Sequence, residues 1–403
     1  MNVLILGTGY PRFREDFSNI YLHRLAVSLV KIGVKVHVVV PHAEGLRKEE
    51  VMDGVHVHRF RYMQPERLQT LAYFPGIPEN IKRPFNKMQT IPFAISMGKK
   101  MLQIVERFEI DVVNAHWALP PAFLSILTKP IYRRPVLTTL YGVELFTARS
   151  KYAGLKPILS WTINNSDGVV AISGATRNSA VEISARSDIE VIPYGVNMEQ
   201  FFTESDGAAI KRRYNLDGHV VLFCGRLVGR KGVEYLIRAM PSVIANIPNT
   251  SLLVVGEGPE KSGLMQLAVS LGVRNRITFA GSVSNEDLLK FYAACDVFVL
   301  PAIVDTYGDT EGFGIVLVEA MASGKPVIGT SVGGISSWFD ENEAYGFLVE
   351  QKDPINLSKK ITTLLNDDKM RKEFGRNARR VAESRFSFSK IAEMYLKTFR
   401  ELT

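Results

Sequence analysis

The chain has 403 residues, about twice the usual length of a single core, so two domains of roughly 200 residues each are expected. Hydrophobic residues make up 46% and charged residues 22%, with no low-complexity tract, which excludes long disorder. The net charge of +8 is uneven: residues 1–200 carry 24 Lys and Arg against 17 Asp and Glu, whereas 201–403 carry 25 against 24. Such asymmetry fits a surface that meets phosphate or anionic lipid and equally fits a scattered solvated surface.

In chain order, short runs of Val, Ile and Leu alternate with helical patterns. Val3–Leu6 is followed by a Gly-bearing loop and a helix from about Asn19 to Ile32, then by a strand at Lys35–Val40. Further strands are expected at Val112–Asn114, Val136–Thr139, Gly168–Ile172 and Ile189–Ile192. A second series opens at Val220 and runs through Ser251–Gly256, Ile277–Ala280, Val297–Leu300 and Val327–Gly329. This alternation predicts two doubly wound α/β units in tandem, joined near 193–202. From Leu357 the pattern is wholly helical, with Pro354 as a start signal and a terminal helix at Ser389–Leu402 that fits either unit. Residues 60–100 break the rhythm with basic, aromatic and proline residues, and read either as a flexible acceptor-side or membrane-touching segment or as a long surface loop.

Cys224 and Cys295 lie in apolar runs and match no metal or disulfide spacing, so both are expected to be buried thiols in a reducing compartment. The opening apolar run is too brief for a signal peptide, and no stretch approaches the length of a membrane span. The expected location is therefore cytoplasmic.

Open α/β units bind ligands at the carboxyl ends of their strands. After the first strand, Gly7-Thr8-Gly9-Tyr10-Pro11 supplies two glycines, but Arg12 stands where a dinucleotide fingerprint needs its third. No phosphate-binding loop ending Gly-Lys-Ser/Thr occurs, so nicotinamide and ATP sites are disfavoured. In the second unit, Gly225-Arg226-Leu227-Val228-Gly229-Arg230-Lys231-Gly232 precedes a helix starting near Val233. Its glycines, its helix N-terminus and the cations Arg226 and Lys231 together form an expected diphosphate cradle. Farther on, Glu311 precedes Gly312-Phe313-Gly314, whose exposed N–H groups can bind oxygen, and Glu319 follows two helical turns later in an apolar stretch. A carboxylate there is costly without a partner; otherwise it faces solvent.

With these motifs in place, the chain resembles the retaining nucleotide-sugar glycosyltransferases of glycosyltransferase family 4, whose signature is two glutamates separated by seven residues. Nearly the full length matches, through Ile192-Pro193-Tyr194-Gly195-Val196-Asn197, the Gly-Arg-Leu and Lys-Gly pair, Gly256-Glu257-Gly258-Pro259, the acidic motif and the helical tail. The resemblance implies the GT-B fold, two facing doubly wound Rossmann-like domains with an interdomain cleft that holds the active site. It places residues 1–197 with 385–403 on the acceptor side and 198–384 on the donor side.

It also implies residue roles. Arg226 and Lys231 would bind the donor diphosphate, Glu319 the ribose hydroxyls, and Glu311 with Gly312, Phe313 and Gly314 the transferred sugar. Gly9 would meet the donor, while Gly256, Gly258 and Val283 would face the nucleotide base. No metal or cofactor is implied, the donor being a UDP- or GDP-linked sugar. On the acceptor side, His116 in Ala115-His116-Trp117 and the run Tyr141-Gly142-Val143-Glu144 match, with Tyr141 standing where much of the family has a histidine near the anomeric carbon. A tyrosine there can donate a hydrogen bond to sugar or phosphate, and His116 is either a second polar group or a loop brace. The first loop has Glu15-Asp16-Phe17 where many relatives carry a glycine pair.

Preorganised cations are expected to stabilise the departing diphosphate, so Arg226→Ala or Lys231→Ala should lose a few hundredfold in rate, ~3 to 4 kcal/mol, with the fold intact. The acceptor is expected to be a lipid-linked or cell-surface glycan, with peripheral contact at a membrane inner face through the basic first domain and no nucleic-acid partner. The alternatives are a non-catalytic nucleotide-sugar-binding partner subunit and a nucleotide-sugar epimerase.

Overall fold

The computed structural model describes residues 1–13, 16, 18–73, 76–145, 153–201, 206–306 and 308–403. Glu15 and Phe17 of the opening loop, and Phe202 of the expected join, lie outside them. The chain divides into two compact units, Met1–Gly195 with Phe388–Thr403, and Val196–Ser387.

Unit 1 is built on an eight-stranded sheet: β1 (Asn2–Leu6), β2 (Lys35–Pro41), β3 (Glu49–Met52), β4 (Val55–Phe60), β5 (Val112–His116), β6 (Val136–Leu140), β7 (Gly168–Ala171) and β8 (Ile189–Val191), in the order β3-β4-β2-β1-β5-β6-β7-β8. All pairings are parallel except β3 with β4. β1 shows why its sequence is continuously apolar. Val3 and Ile5 enter a cluster with the helix Ile20–Lys31, whereas Leu4 and Leu6 enter one with the helix Thr90–Arg107. A strand covered by helices on both faces has no polar side.

The β3–β4 hairpin is absent from the sequence reading. Its edge strand reads Glu49-Glu50-Val51-Met52, with side chains only partly covered, and its turn is Asp53-Gly54 with both φ positive, a standard hairpin signal. The later part of the 60–100 stretch is not a loop: it forms the short helices Ile77–Asn80 and Pro84–Met88 and leads into Thr90–Arg107. Side-chain amides tie this stretch together, Asn80 donating to the Leu71 and Tyr73 carbonyls and Gln89 to Thr70.

The terminal helix Phe388–Leu402 belongs to unit 1. Phe388, Ile391, Tyr395 and Phe399 fall on one face and enter the β1 cluster, while Thr398 hydrogen-bonds Glu190 at 2.7 Å. A Cβ on Gly195 would run into the Phe388 ring, so the two ends of unit 1 pack closely where its second segment begins.

Unit 2 carries a six-stranded, wholly parallel sheet: β9 (His219–Cys224), β10 (Thr250–Val255), β11 (Ile277–Gly281), β12 (Val297–Leu300), β13 (Val327–Thr330) and β14 (Gly346–Val349), ordered β11-β10-β9-β12-β13-β14. β14 was also missed, being four residues between charged segments. Each sheet reverses its winding once, at β1/β5 and at β9/β12, and those crevices are where such folds bind ligands. Cys224 and Cys295 are buried free thiols, their pKa values pushed up to about 12 by burial. No helix among the described residues is long and apolar enough to cross a membrane.

Candidate functional site

At the unit 2 crevice, the loops after β9 and β12 interlock. Ile303 N–H donates to the Arg230 carbonyl at 2.9 Å, and Gly232 has φ 63° with its α-carbon so close to the Pro301 carbonyl that a side chain would collide. Gly232 immediately precedes the helix Val233–Asn246, so the strand-to-helix turn and the contact with the β12 loop are one feature.

This interlock brings Lys231 onto Glu311. Lys231 Nζ pairs with Glu311 Oε2, and the Arg230 guanidinium stands 3.6 Å from the same oxygen and 3.4 Å from Asp309. Burial raises the Glu311 pKa, but the Lys231 and Arg230 charges and the Lys231 hydrogen bond outweigh it, holding the carboxyl below its usual range. Arg226 is exposed and, among the described residues, has no ion-pair partner.

Two expectations change here. The N–H groups of Phe313 and Gly314 are buried, and both point to Glu311 Oε1, at 3.4 and 3.1 Å. The acid that precedes the helix Ile315–Ala322 folds back onto the two N–H groups just ahead of that helix, so both donors are already engaged by Glu311. Lys231 is also part of a largely buried ion pair, and removing it leaves Glu311 with only the more distant Arg230 charge, so Lys231→Ala is no longer expected to spare the fold.

Glu319 is buried, 8% exposed, which removes the solvent-facing reading, and it accepts the Tyr292 hydroxyl at 2.9 Å. The helix carrying it is closed at its C-terminal end by Arg379, which donates to the Ala322 carbonyl and also to the Met198 and Phe201 carbonyls. Gly256 and Gly258 pack against the carbonyls of Gly225 and Leu227, where a side chain would collide, so both are required by loop packing. Val283 is partly buried just before Ser284, the cap of the helix Asn285–Ala294.

At the unit 1 crevice, a cavity of about 130 Å³ is lined by Gly7, Thr8, Asn19, Tyr21, Leu22, His116, Trp117, Tyr141, Val143 and Tyr194. Gly9 is buried beside it and its carbonyl accepts from Asn19 at 3.1 Å. His116 and Tyr141 come together at the ends of β5 and β6, with His116 Nδ1 2.5 Å from the Tyr141 hydroxyl and His116 Nε2 2.6 Å from Asn114 Oδ1. Burial pushes the His116 pKa down to about 3 and the Tyr141 pKa well up. Glu144 accepts from the Tyr141 N–H at 3.1 Å, and burial pushes its pKa up to about 7 against that bond. Trp117 has φ 89°, a strained value for a bulky residue, with its N–H held by the Thr139 carbonyl at 2.9 Å.

The described residues include no cluster of three His, Cys, Asp or Glu arranged for a metal ion. Residues 18–200 match the family model described as Glycosyltransferase Family 4, and residues 208–381 match Glycosyl transferases group 1. A GDP-mannose-dependent monoacylated α-(1-6)-phosphatidylinositol monomannoside mannosyltransferase from Corynebacterium glutamicum is 33% identical over 299 residues, covering 73% of this chain and 77% of the relative. The chain belongs to glycosyltransferase family 4.

An N-acetyl-α-D-glucosaminyl L-malate synthase from Bacillus anthracis is 27% identical, covering 87% of the chain and 90% of the relative. Among solved structures, a sucrose-phosphate synthase from Thermosynechococcus elongatus superposes with TM-score 0.76 at 23% identity, over 100% of this chain and 98% of that one. Anabaena HepE in complex with UDP-glucose gives 0.71 at 21%, with full coverage of both. These neighbours establish the GT-B fold of this glycosyltransferase.

Sequence reading missed Arg230, Tyr292, Arg379, Asn114 and Tyr395, which hold the glycosyltransferase's site residues in place. Tyr395 reaches Thr139 at 3.3 Å and its ring stacks 6.2 Å from His116. Arg230 lay inside the quoted loop, where the apolar strand pattern gives no sign of its partner 80 residues on. The other four lie outside any motif.

Proposed function

We propose that this glycosyltransferase moves a hexose from a UDP- or GDP-linked donor to a lipid-linked or cell-surface glycan, with retention of configuration and without a metal ion. The observation that carries the donor assignment is the Lys231–Glu311 pair at the β9/β12 crevice, with the exposed Arg226 in the same loop as Lys231. A cation and a carboxylate in contact suit the two sides of a sugar–phosphate linkage, the diphosphate on Lys231 and Arg226 and a sugar hydroxyl on Glu311. Glu319, buried and held by Tyr292, suits the ribose hydroxyls. The resemblance to family 4 supports retention. In a front-face course the acceptor oxygen attacks the anomeric carbon, the bond to the diphosphate oxygen breaks, and that oxygen takes the acceptor proton.

UDP-glucose bound to the Anabaena neighbour and the GDP-mannose named for the mannosyltransferase relative support both donor classes. The phosphatidylinositol mannoside acceptor of that relative supports a lipid-linked acceptor. Peripheral membrane contact is supported by Phe85, Met88, Ile91 and Ile95, all exposed, among Lys82, Arg83, Lys87 and Lys99, with no acidic residue from 80 to 105. The test is transfer from UDP- and GDP-sugars to glycolipid extracts in excess EDTA. Formation of an α-linked product from an α-linked donor is expected; a β-linked product, or loss of activity to EDTA that Mg²⁺ restores, refutes the corresponding part. Donor binding without transfer to any acceptor would favour the non-catalytic partner reading.

A further inference from the structure

The polarity of the hydrogen-bond chain beneath the unit 1 cavity is fixed by its buried end. Asn114 is fully buried, and its amide stands 3.2 Å from the Leu137 carbonyl, which can only accept. The Nδ2 side must therefore face Leu137 and Thr139, leaving Oδ1 toward His116 Nε2 at 2.6 Å. An amide oxygen can only accept, so His116 carries its proton on Nε2. In a neutral imidazole, Nδ1 is then a lone pair, and the Tyr141 hydroxyl, 2.5 Å away, must donate to it.

We propose that Asn114 and His116 set Tyr141 as a hydrogen-bond acceptor toward the cavity, so that it selects a sugar hydroxyl and rejects phosphate. With its only proton spent on His116, the phenol oxygen offers lone pairs alone, the reverse of the donor role expected of it from the sequence. A phosphate oxygen brought there would face a second acceptor; a sugar hydroxyl would be matched. The cavity walls agree with a sugar ring: Trp117 and Tyr194 stand 6.1 and 5.5 Å from the Tyr141 ring, and Tyr21 stands 5.4 Å from Tyr194. Burial that holds His116 neutral keeps the chain in one polarity across the working pH range. Tyr141 is thus a specificity residue and His116 a positioning residue. The inference rests on the acceptor-side reading of the unit 1 site for its ligand, but not for its polarity.

Two measurements on the full chain test it. The first is ¹⁵N NMR of the histidine side chains in the ligand-free protein, with His116 assigned by its loss in His116→Gln. His116 is expected to show a protonated Nε2 and an unprotonated Nδ1; a proton on Nδ1 overturns the proposal, whatever the enzyme transfers. The second is steady-state kinetics with GDP-mannose and UDP-glucose and their monodeoxyfluoro analogues, and separately with methyl mannoside and its analogues as acceptor probes. Fluorine accepts but does not donate, so one position should raise KM about tenfold with kcat little changed. The arm that responds tells a donor sugar from an acceptor sugar. Tyr141→Phe should remove that discrimination; discrimination unchanged in Tyr141→Phe overturns the assignment. If no transfer occurs with any substrate, the functional reading fails while the NMR result still decides the polarity.

Discussion

The two crevices use opposite chemistry. In unit 2 the site is ionic and drawn from two loops, with Lys231, Arg230 and Glu311 in contact and Arg226 exposed in the first of those loops. In unit 1 it is largely aromatic, taking residues from the ends of β1, β5, β6 and β8 and from the start of the helix Ile20–Lys31, and bracing them with Tyr395 from the last helix. A charged leaving group needs fixed cations, whereas a hydroxyl nucleophile needs orientation in a place where no side chain competes as an ion. The ionic site also contributes to folding, and that separates its residues from one another.

Lys231→Ala should have the largest effect. It breaks a pair whose side chains are 12% and 11% exposed, costing about 3 to 5 kcal/mol of stability in addition to activity, read from the denaturant midpoint. Arg226→Ala should lose a few hundredfold in kcat/KM, ~3 to 4 kcal/mol, with an unchanged melting temperature. Equal melting temperatures for the two variants would remove the distinction between a paired and an unpaired cation. Tyr292→Phe should cost about 1.5 to 3 kcal/mol through the lost hydrogen bond to the Glu319 carboxylate, measured as stability, together with weaker nucleotide binding.

A further effect distinguishes the units by pH. Burial lowers His37 and His58, stacked 5.4 Å apart on β2 and β4, from 6.5 to about 4. Between those values the unfolded chain binds more protons than the folded one, so stability falls as pH drops through the window. Hydrogen exchange corrected for its intrinsic rate should rise in β2 and β4 as pH falls from 6.5 toward 4, and His37→Phe should reduce the change.

The same contrast explains what was legible in the sequence. Buried parallel strands such as β1, β9 and β12 announce themselves as apolar runs, and the spacing from Glu311 to Glu319 carries the proposed donor site. β3 is half covered and acidic, and β14 is four residues long, so neither gives a periodic signal. The Glu311 hydrogen bonds to Phe313 and Gly314, and its contact with Lys231, depend on how the β9 and β12 loops meet. Tyr141 was visible as a departure from the family, but its polarity depends on the Leu137 carbonyl beneath Asn114, which only the folded sheet supplies.

The most direct test of the central claim is a calorimetric titration of UDP and GDP into the wild-type chain and Arg226→Ala. The account predicts that one nucleoside diphosphate binds the wild-type chain and binds the variant at least about tenfold more weakly, with the fold unchanged. Equal binding to both proteins, or binding of neither nucleotide to the wild-type chain, would contradict it.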